Sequence, residues 1–513
     1  MLTITHLLIT IFALWIYILW SRRKFYKVFL QLPGPWGLPL VGLAFKMMKP
    51  ESVLQYMGDL AKEYKAPFIS WMGSQCFLYV NDPETMEIIF KSPCCTNKGD
   101  VYRFMANAIG DGLFTSSSPR WNKHRRLLNP AFSRKAIQAF LPVFNREAST
   151  LVKKMAVTQG QTLEIYGLLK KIVLEIACQT TMGKKMNFQD NRSTAIFEAY
   201  NGITETCVTR MLSPWLYLDV VYQFSALYKR QQQFSVALQK FVENLLADDG
   251  QTEVSHSQLG EKSREDRSFK LESQNLLDIV REHIAANQLT SQDARDEANV
   301  IVAATFETTS TALYFACLCL AMHPECQDKL YKELVEIFPK SYDSADTRSG
   351  ITLEQLQRMK YMDMVMNESM RLLSPVPMVL RRVSEDFHFQ NVSGERILLP
   401  KNTQIALDIF NMHRSENSWG PYASSFEPEL HFGPNVHRHA FAFLPFTKGL
   451  RMCLGYRYAL VLMKVMLAHI FRNFRISTES QLKDLNVKGT ISLKLGDYPL
   501  CTIQARHDNL FTQ

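Results

Sequence analysis

The run Phe446-Thr447-Lys448-Gly449-Leu450-Arg451-Met452-Cys453-Leu454-Gly455 decides how the rest of this 513-residue chain is read. It sets one cysteine between two glycines, with an arginine two residues earlier. Beyond it, Leu460, Leu462, Met463, Met466, Leu467, Ile470 and Phe471 recur at helical spacing, so a helix is predicted from Tyr456 to Phe474. Cys453 then stands where a loop enters a helix, and backbone N–H groups with the positive helix end favour its thiolate. Gly449 permits a tight turn, and Gly455 lets a flat ligand or another backbone approach. Such a thiolate suits haem iron, and Arg451 has the reach for a propionate. Zinc fits poorly, because no C-x-x-C or H-x-x-x-H partner lies nearby. A lone cysteine at a helix start is most often an inert core residue, so other segments have to agree.

The whole run resembles the haem-binding loop of the cytochrome P450 family, F-x-x-G-x-R-x-C-x-G, at each fixed position. The resemblance implies a mainly α fold with small β-sheets (α+β), behind an N-terminal membrane anchor. It also implies a non-covalent haem b with Cys453 as axial ligand to the iron, held in a loop that includes Phe446, Gly449 and Arg451. In Asn367-Glu368-Ser369-Met370-Arg371-Leu372, within a helical pattern from about Leu356 to Leu373, Glu368 and Arg371 are i, i+3 neighbours. Alone, that is an ordinary ion pair. In context it resembles the family's E-x-x-R pair, which braces the haem-side loop. The family's third partner is usually an arginine in a P-E-R-F-like phrase. Here the phrase reads Phe426-Glu427-Pro428-Glu429-Leu430-His431-Phe432, so Leu430 takes that place and His431 beside it is an imperfect substitute.

From Asp293 to Met322 the chain runs without Gly or Pro, and from Ala298 it is long and apolar enough to pass for a membrane span. Thr305, Glu307, Thr308, Thr309, Ser310 and Thr311 break it with a polar notch that lipid would penalise, which points to a core helix. A threonine there can bond the carbonyl four residues back, at Ala304, and loosen the helix. The notch resembles the family's oxygen-activation motif, with Thr305 where glycine is usual. The resemblance makes Glu307 and Thr308 a proton relay.

Trp121 and Arg125, in Trp121-Asn122-Lys123-His124-Arg125-Arg126, are similar to the family's W-x-x-x-R pair, which grips haem propionates through charge-assisted hydrogen bonds. Arg381, after Pro375-Val376-Pro377, stands where relatives place another propionate ligand. The likeness covers the chain from Pro33-Gly34-Pro35 to the terminal strands.

No linker or repeat divides the chain, and motifs from residue 121 to residue 455 must meet at one haem. The organisation expected is a membrane anchor and basic flank at 1–24, a proline-rich hinge at 25–45 and one catalytic domain at 46–513. Leu2 to Trp20 holds no charged residue and is followed by Ser21-Arg22-Arg23-Lys24. That length just spans a bilayer core, with the basic cluster on the cytosolic side. A cleaved signal peptide lacks support, since neither a charged start nor a small-residue cleavage site is present. The charged stretch Asp248 to Ser268 reads as an exposed insertion. Ten cysteines without framework spacing point to a reducing compartment. The family likeness adds the endoplasmic reticulum membrane, with the catalytic domain facing the cytosol.

A net charge of +9, spread without a basic tract beyond the anchor flank, does not indicate nucleic acid. No flavin or dinucleotide fingerprint occurs, so the resemblance assigns electron supply to NADPH through a separate reductase, with cytochrome b5 as a second donor. Lys123, Arg126, Lys448 and Arg457 offer a basic docking face. Walls for a hydrophobic substrate are expected from Met105–Phe114, Ala303–Glu307, Val376–Leu380 and Ile491-Ser492-Leu493.

His323-Pro324-Glu325 and Arg438 to Phe446 resemble insect members of the family-4 clan, whose substrates include fatty acids, hormones and foreign compounds. Some of those relatives esterify haem through a glutamate aligned with Ala304, which alanine cannot do. The rival reading is a haem-binding ligand binder or sensor without oxygen activation.

Overall fold

A computed structural model describes residues 2–29, 31–37, 42–73, 75–158, 160–188, 194–246, 275–338, 350–391 and 394–506. The expected insertion at 248–268, and Pro39, lie outside the described residues.

Helices dominate, and the strands are short: β1 (Phe68–Met72), β2 (Gln75–Val80), β3 (Asn97–Lys98), β4 (Thr162–Leu163), β5 (Met378–Arg382), β6 (Phe387–Gln390), β7 (Arg396–Leu399), β8 (Gln404–Asp408), β9 (Phe474–Ser477), β10 (Val487–Gly489), β11 (Leu493–Leu495) and β12 (Cys501–Ala505). One sheet has the order β1-β2-β8-β5-β3, in which only β2 and β8 run parallel. Smaller sheets pair β4-β12-β9, β6-β7 and β10-β11. Side chains alternate across a pleated strand. Ile69, Leu78, Val80, Val379, Ile405 and Leu407 therefore enter one core, while Tyr79, Ala406 and Leu380, in register across three strands, share the other face.

The helix Ser291–Met322 is the spine of the molecule. Thr290 Oγ1 accepts the Asp293 N–H and the Asp293 carboxylate accepts the Thr290 N–H, a reciprocal cap that fixes where it starts. Every residue from Ala312 to Ala321 is buried. The helix is therefore a core element, although it is long and apolar enough to cross a membrane.

The helical pattern at 356–373 is two helices, Leu353–Arg358 and Lys360–Leu372, broken at Met359. The Glu333 carboxylate takes the Tyr361 and Met362 N–H groups, so a side chain caps the second start. Tyr456–Asn473 buries Leu462, Met463 and Val465 to Ala468, as its spacing requires.

At the N-terminus, Leu2–Ser21 is helical with Phe12, Leu14, Trp15, Ile16 and Trp20 exposed. A second helix, Arg23–Phe29, behaves differently: Val28 is buried and the Tyr26 ring stacks on Trp71 at 5.4 Å. The Pro33 carbonyl then accepts the Ile69 N–H at 2.9 Å, tying this stretch to β1. All ten cysteines are free.

Candidate functional site

The cysteine loop is built by its turns. Gly449 has φ +73°, and a Cβ there would sit 2.2 Å from the Phe90 carbonyl oxygen, so no larger residue fits. The Cys453 N–H donates to the Phe446 carbonyl at 3.0 Å, and Gly455 opens the helix Tyr456–Asn473. Phe446, Arg451, Cys453 and Gly455 line one cavity, and Cys453 alone among the cysteines is exposed, on that wall. Cys453 opens onto the cavity but is shielded by the surrounding protein, and that desolvation pushes its thiol up, offset in part by the Gly455 N–H and the Arg125 charge. The helix-start N–H and the Arg125 charge act toward the thiolate, in the expected direction and against the burial, and ligation to a metal favours it further.

Four cations meet in this cavity: Lys98, Arg125, Arg381 and Arg451. Lys98 and Arg381 are cross-strand partners on β3 and β5. Arg451 lies 3.9 Å over the ring of the buried Trp121 and donates to the Thr96 and Ser116 carbonyls at 2.9 Å each. Burial lowers all four pKa values, Lys98 far down and Arg451 to about 9, and the charge of Arg381 presses on both. Among the described residues none of the four has a carboxylate partner, and Arg451 Nη1 is buried without an acceptor. Buried cations that repel one another are stable only with an anion supplied. Two haem propionates meet that need, so the residues fit the cofactor. Lys98 was not legible beforehand; only its register with Arg381 reveals it.

Ala304, Thr305, Thr308 and Thr309 of the helix Ser291–Met322 line the same cavity. Thr308 Oγ1 donates to the Ala304 carbonyl at 2.8 Å, the back-bond expected from sequence. Glu307 does not line it. Its carboxylate takes Lys170 Nζ at 2.9 Å, Ser492 Oγ at 2.9 Å and Lys494 Nζ at 3.5 Å. These partners outweigh burial and hold it near pKa 2. At rest Glu307 is thus an ionised, ion-paired carboxylate beside the cavity rather than on its wall, and a proton relayed through it would have to pass by way of Lys170, Lys494 or Ser492.

Glu368 and Arg371 lie outside the cavity, fully buried, joined at 2.7 and 2.9 Å. Arg371 also holds the His413 carbonyl at 2.7 Å, and His413 Nε2 accepts the Leu444 N–H at 2.9 Å, two residues before Phe446. The pair thereby braces the cysteine loop through one imidazole. The third place is filled: His431 Nδ1 stands 2.8 Å from Glu368 Oε1, while Leu430 faces outward. His431 is the residue inserted, not a bystander to Leu430.

A second cavity abuts the first at Phe114 and Val376. Met105, Val376 to Met378, Leu380 and Ile491 line it as expected, but Ser492 turns to Glu307 and Leu493 enters the core. Met47, Met72, Tyr79, Met211 and Tyr217 also line it, from segments distant in sequence that no motif marks.

Residues 32–501 match the family model for cytochrome P450. The chain is similar to probable cytochrome P450 313b1 of Drosophila melanogaster, 57% identical over 96% of this chain and 97% of the relative. Probable cytochrome P450 313a4 of the same organism is 38% identical over 97% and 98%, and its cytochrome P450 4c3 is 27% identical over 93% and 89%.

Proposed function

The chain belongs to the cytochrome P450 family of haem monooxygenases, and we propose that it inserts one oxygen atom of O2 into an apolar substrate, using NADPH electrons from a separate reductase. One observation carries this reading: Cys453 and Thr308, 145 residues apart, line one cavity ringed by four cations that have no carboxylate partner among the described residues. Haem held there supplies oxygen activation, with a cysteine thiolate donating electron density to the iron.

In this reading Cys453 Sγ would bind the haem iron, while Arg451, Arg125, Arg381, Trp121 and Lys98 would hold the propionates. Phe446 and Gly449 shape the loop, and Glu368, Arg371 and His431 keep it in register. Thr308 Oγ1, on the cavity wall, would position a proton donor for the oxygen chemistry that haem supplies. Ala304 offers no carboxylate for an ester, so the haem b is non-covalent. The sensor reading loses one support, because the brace that seemed to lack a member has His431.

The anchor proposal rests on Leu2–Ser21. Twenty helical residues span about 30 Å, the thickness of a bilayer core. Arg22, Arg23 and Lys24 support an orientation with the catalytic body in the cytosol, and the choice of the endoplasmic reticulum membrane rests on the family likeness. Lys123, Arg126 and Arg457, exposed on the two helices that also carry Arg125 and follow Cys453, suit an acidic reductase or cytochrome b5. Lys448 is engaged instead with the Ala440 carbonyl and the Phe441 ring.

The test is the reduced, carbon-monoxide-bound spectrum of the full chain, followed by NADPH turnover with a reductase. A thiolate-type band that Cys453→Ala abolishes, and that substitution of the other nine cysteines spares, supports the ligand. The band without substrate-dependent turnover would favour the sensor.

A further inference from the structure

The cavity that abuts the haem site is floored by the open face of the five-stranded sheet, where Tyr79, Ala406 and Leu380 stand in register. Ala406 is small, and Tyr79 reaches across toward β5, its Oη 3.6 Å from Met378 Sδ. Among the described residues it has no other hydrogen-bond partner. A thioether is a weak acceptor, so a phenol on a side chain only 7% exposed keeps most of its donor capacity for whatever enters. Of the other hydroxyls on the wall, Tyr217 Oη donates to the Met211 carbonyl at 2.6 Å and Thr490 Oγ1 to the Ser492 carbonyl, while Ser70 and Tyr102 complete the set.

No Asp, Glu, Lys, Arg or His is among the described residues lining this cavity. Five methionines supply deformable apolar wall instead. A carboxylate drawn into it would be buried without a counter-ion, a cost that a neutral oxygen accepting one hydrogen bond does not incur. The nearby cations belong to the haem cavity, where the propionates take them.

We propose that this cavity selects uncharged, elongated lipophilic substrates carrying one hydrogen-bond acceptor, an ester, ketone, ether or alcohol oxygen engaged by Tyr79 Oη, and rejects free carboxylates. This rests on the monooxygenase reading above. It sets the enzyme apart from oxidation of free fatty acids at the chain end, because there the carboxylate would have to lie along the cavity while the tail meets the iron.

Three imidazoles test it on the full-length holoprotein in detergent, each N-substituted with a dodecyl chain ending in methyl, methyl ester or carboxylate. The imidazole nitrogen binds iron in all three, so each gives a haem spectral shift and a Kd, and the chain end alone differs. The ester should bind about 3- to 10-fold tighter than the methyl form, the yield of one hydrogen bond, and at least about 10-fold tighter than the carboxylate. Tyr79→Phe should erase the ester's advantage and leave the Kd of the methyl form unchanged. Carboxylate binding as tight as ester, or Tyr79→Phe scaling all three Kd values alike, would overturn the proposal. Absence of both the imidazole shift and the thiolate-type carbon-monoxide band would instead sink the monooxygenase reading beneath it.

Discussion

His431 Nδ1 lies 2.8 Å from Glu368 Oε1 and 3.3 Å from Arg371 Nη2, wholly inside the protein, whereas Leu430 before it is 48% exposed. A buried Glu–Arg pair needs its remaining acceptor sites filled. The five-residue helix Pro428–Phe432 supplies that by turning one side chain inward and its neighbour out. His431→Ala should therefore destabilise the holoprotein by about 1–3 kcal/mol, the cost of a buried group left unsatisfied. Leu430→Ala should stay within about 0.5 kcal/mol. Thermal unfolding of the two variants, followed through the haem absorbance, decides between them.

Glu307 predicts an acid limb. Its carboxyl is near 2 in the folded protein against an ordinary 4.5 unfolded. A depressed folded value adds stability that is complete above the unfolded pKa and lost as pH falls through the folded one. The contribution, on the order of 3 kcal/mol at 1.36 kcal/mol per unit, should thus persist at pH 6 and disappear between about pH 4.5 and 2. Glu307→Gln should flatten stability across that window, while leaving Lys170 and Lys494 without their anion. A pH optimum for turnover that moves with this substitution, at a pH where the variant stays folded, would assign Glu307 the relay as well.

Thr308→Ala removes the hydroxyl bonded to the Ala304 carbonyl. Haem content and the thiolate-type spectrum should be preserved. NADPH consumption should continue, with reducing equivalents diverted to peroxide or water because protons arrive at the wrong oxygen. Product formed per NADPH unchanged from the parent protein would pass the role to Thr305 or Thr309, which line the same wall.

Lys98 sits between the Tyr102 and Phe114 rings, 4.4 and 4.7 Å from their centroids, facing the haem cavity. Lys98→Met keeps the bulk and deletes the charge. Losing one charge-assisted bond to a propionate, about 1.5–3 kcal/mol, should raise haem loss about 10- to 100-fold. Haem transfer to excess apomyoglobin reads that rate without any turnover assay, and an unchanged rate would remove Lys98 from the propionate set.

Two truncations separate anchor from body. Deleting residues 1–21 should release most of the protein from membranes with thermal stability intact. Deleting 1–30 should release it equally but lower the unfolding midpoint, because Val28 and the Tyr26–Trp71 stack go too. Equal midpoints would show that the second helix contributes nothing to the body.

The haem loop, the core helix with its polar notch, the Glu368–Arg371 pair and the apolar N-terminal segment were all legible in the chain. Each is local: glycines bound a turn, spacing of 3.6 defines a buried face, and i, i+3 residues meet on one helix. The tertiary structure alone decided what depends on contacts between distant segments. Lys98 becomes a fourth cation only through β-pairing with Arg381. His431 rather than Leu430 meets Glu368 because of how one short helix is rotated. Glu307, three residues from the cavity-facing Ala304 and one from Thr308, meets Lys170 and Lys494 from other elements and does not line the cavity. Spacing along a helix states which side chains share a face, but what that face meets depends on how the remaining elements pack against it.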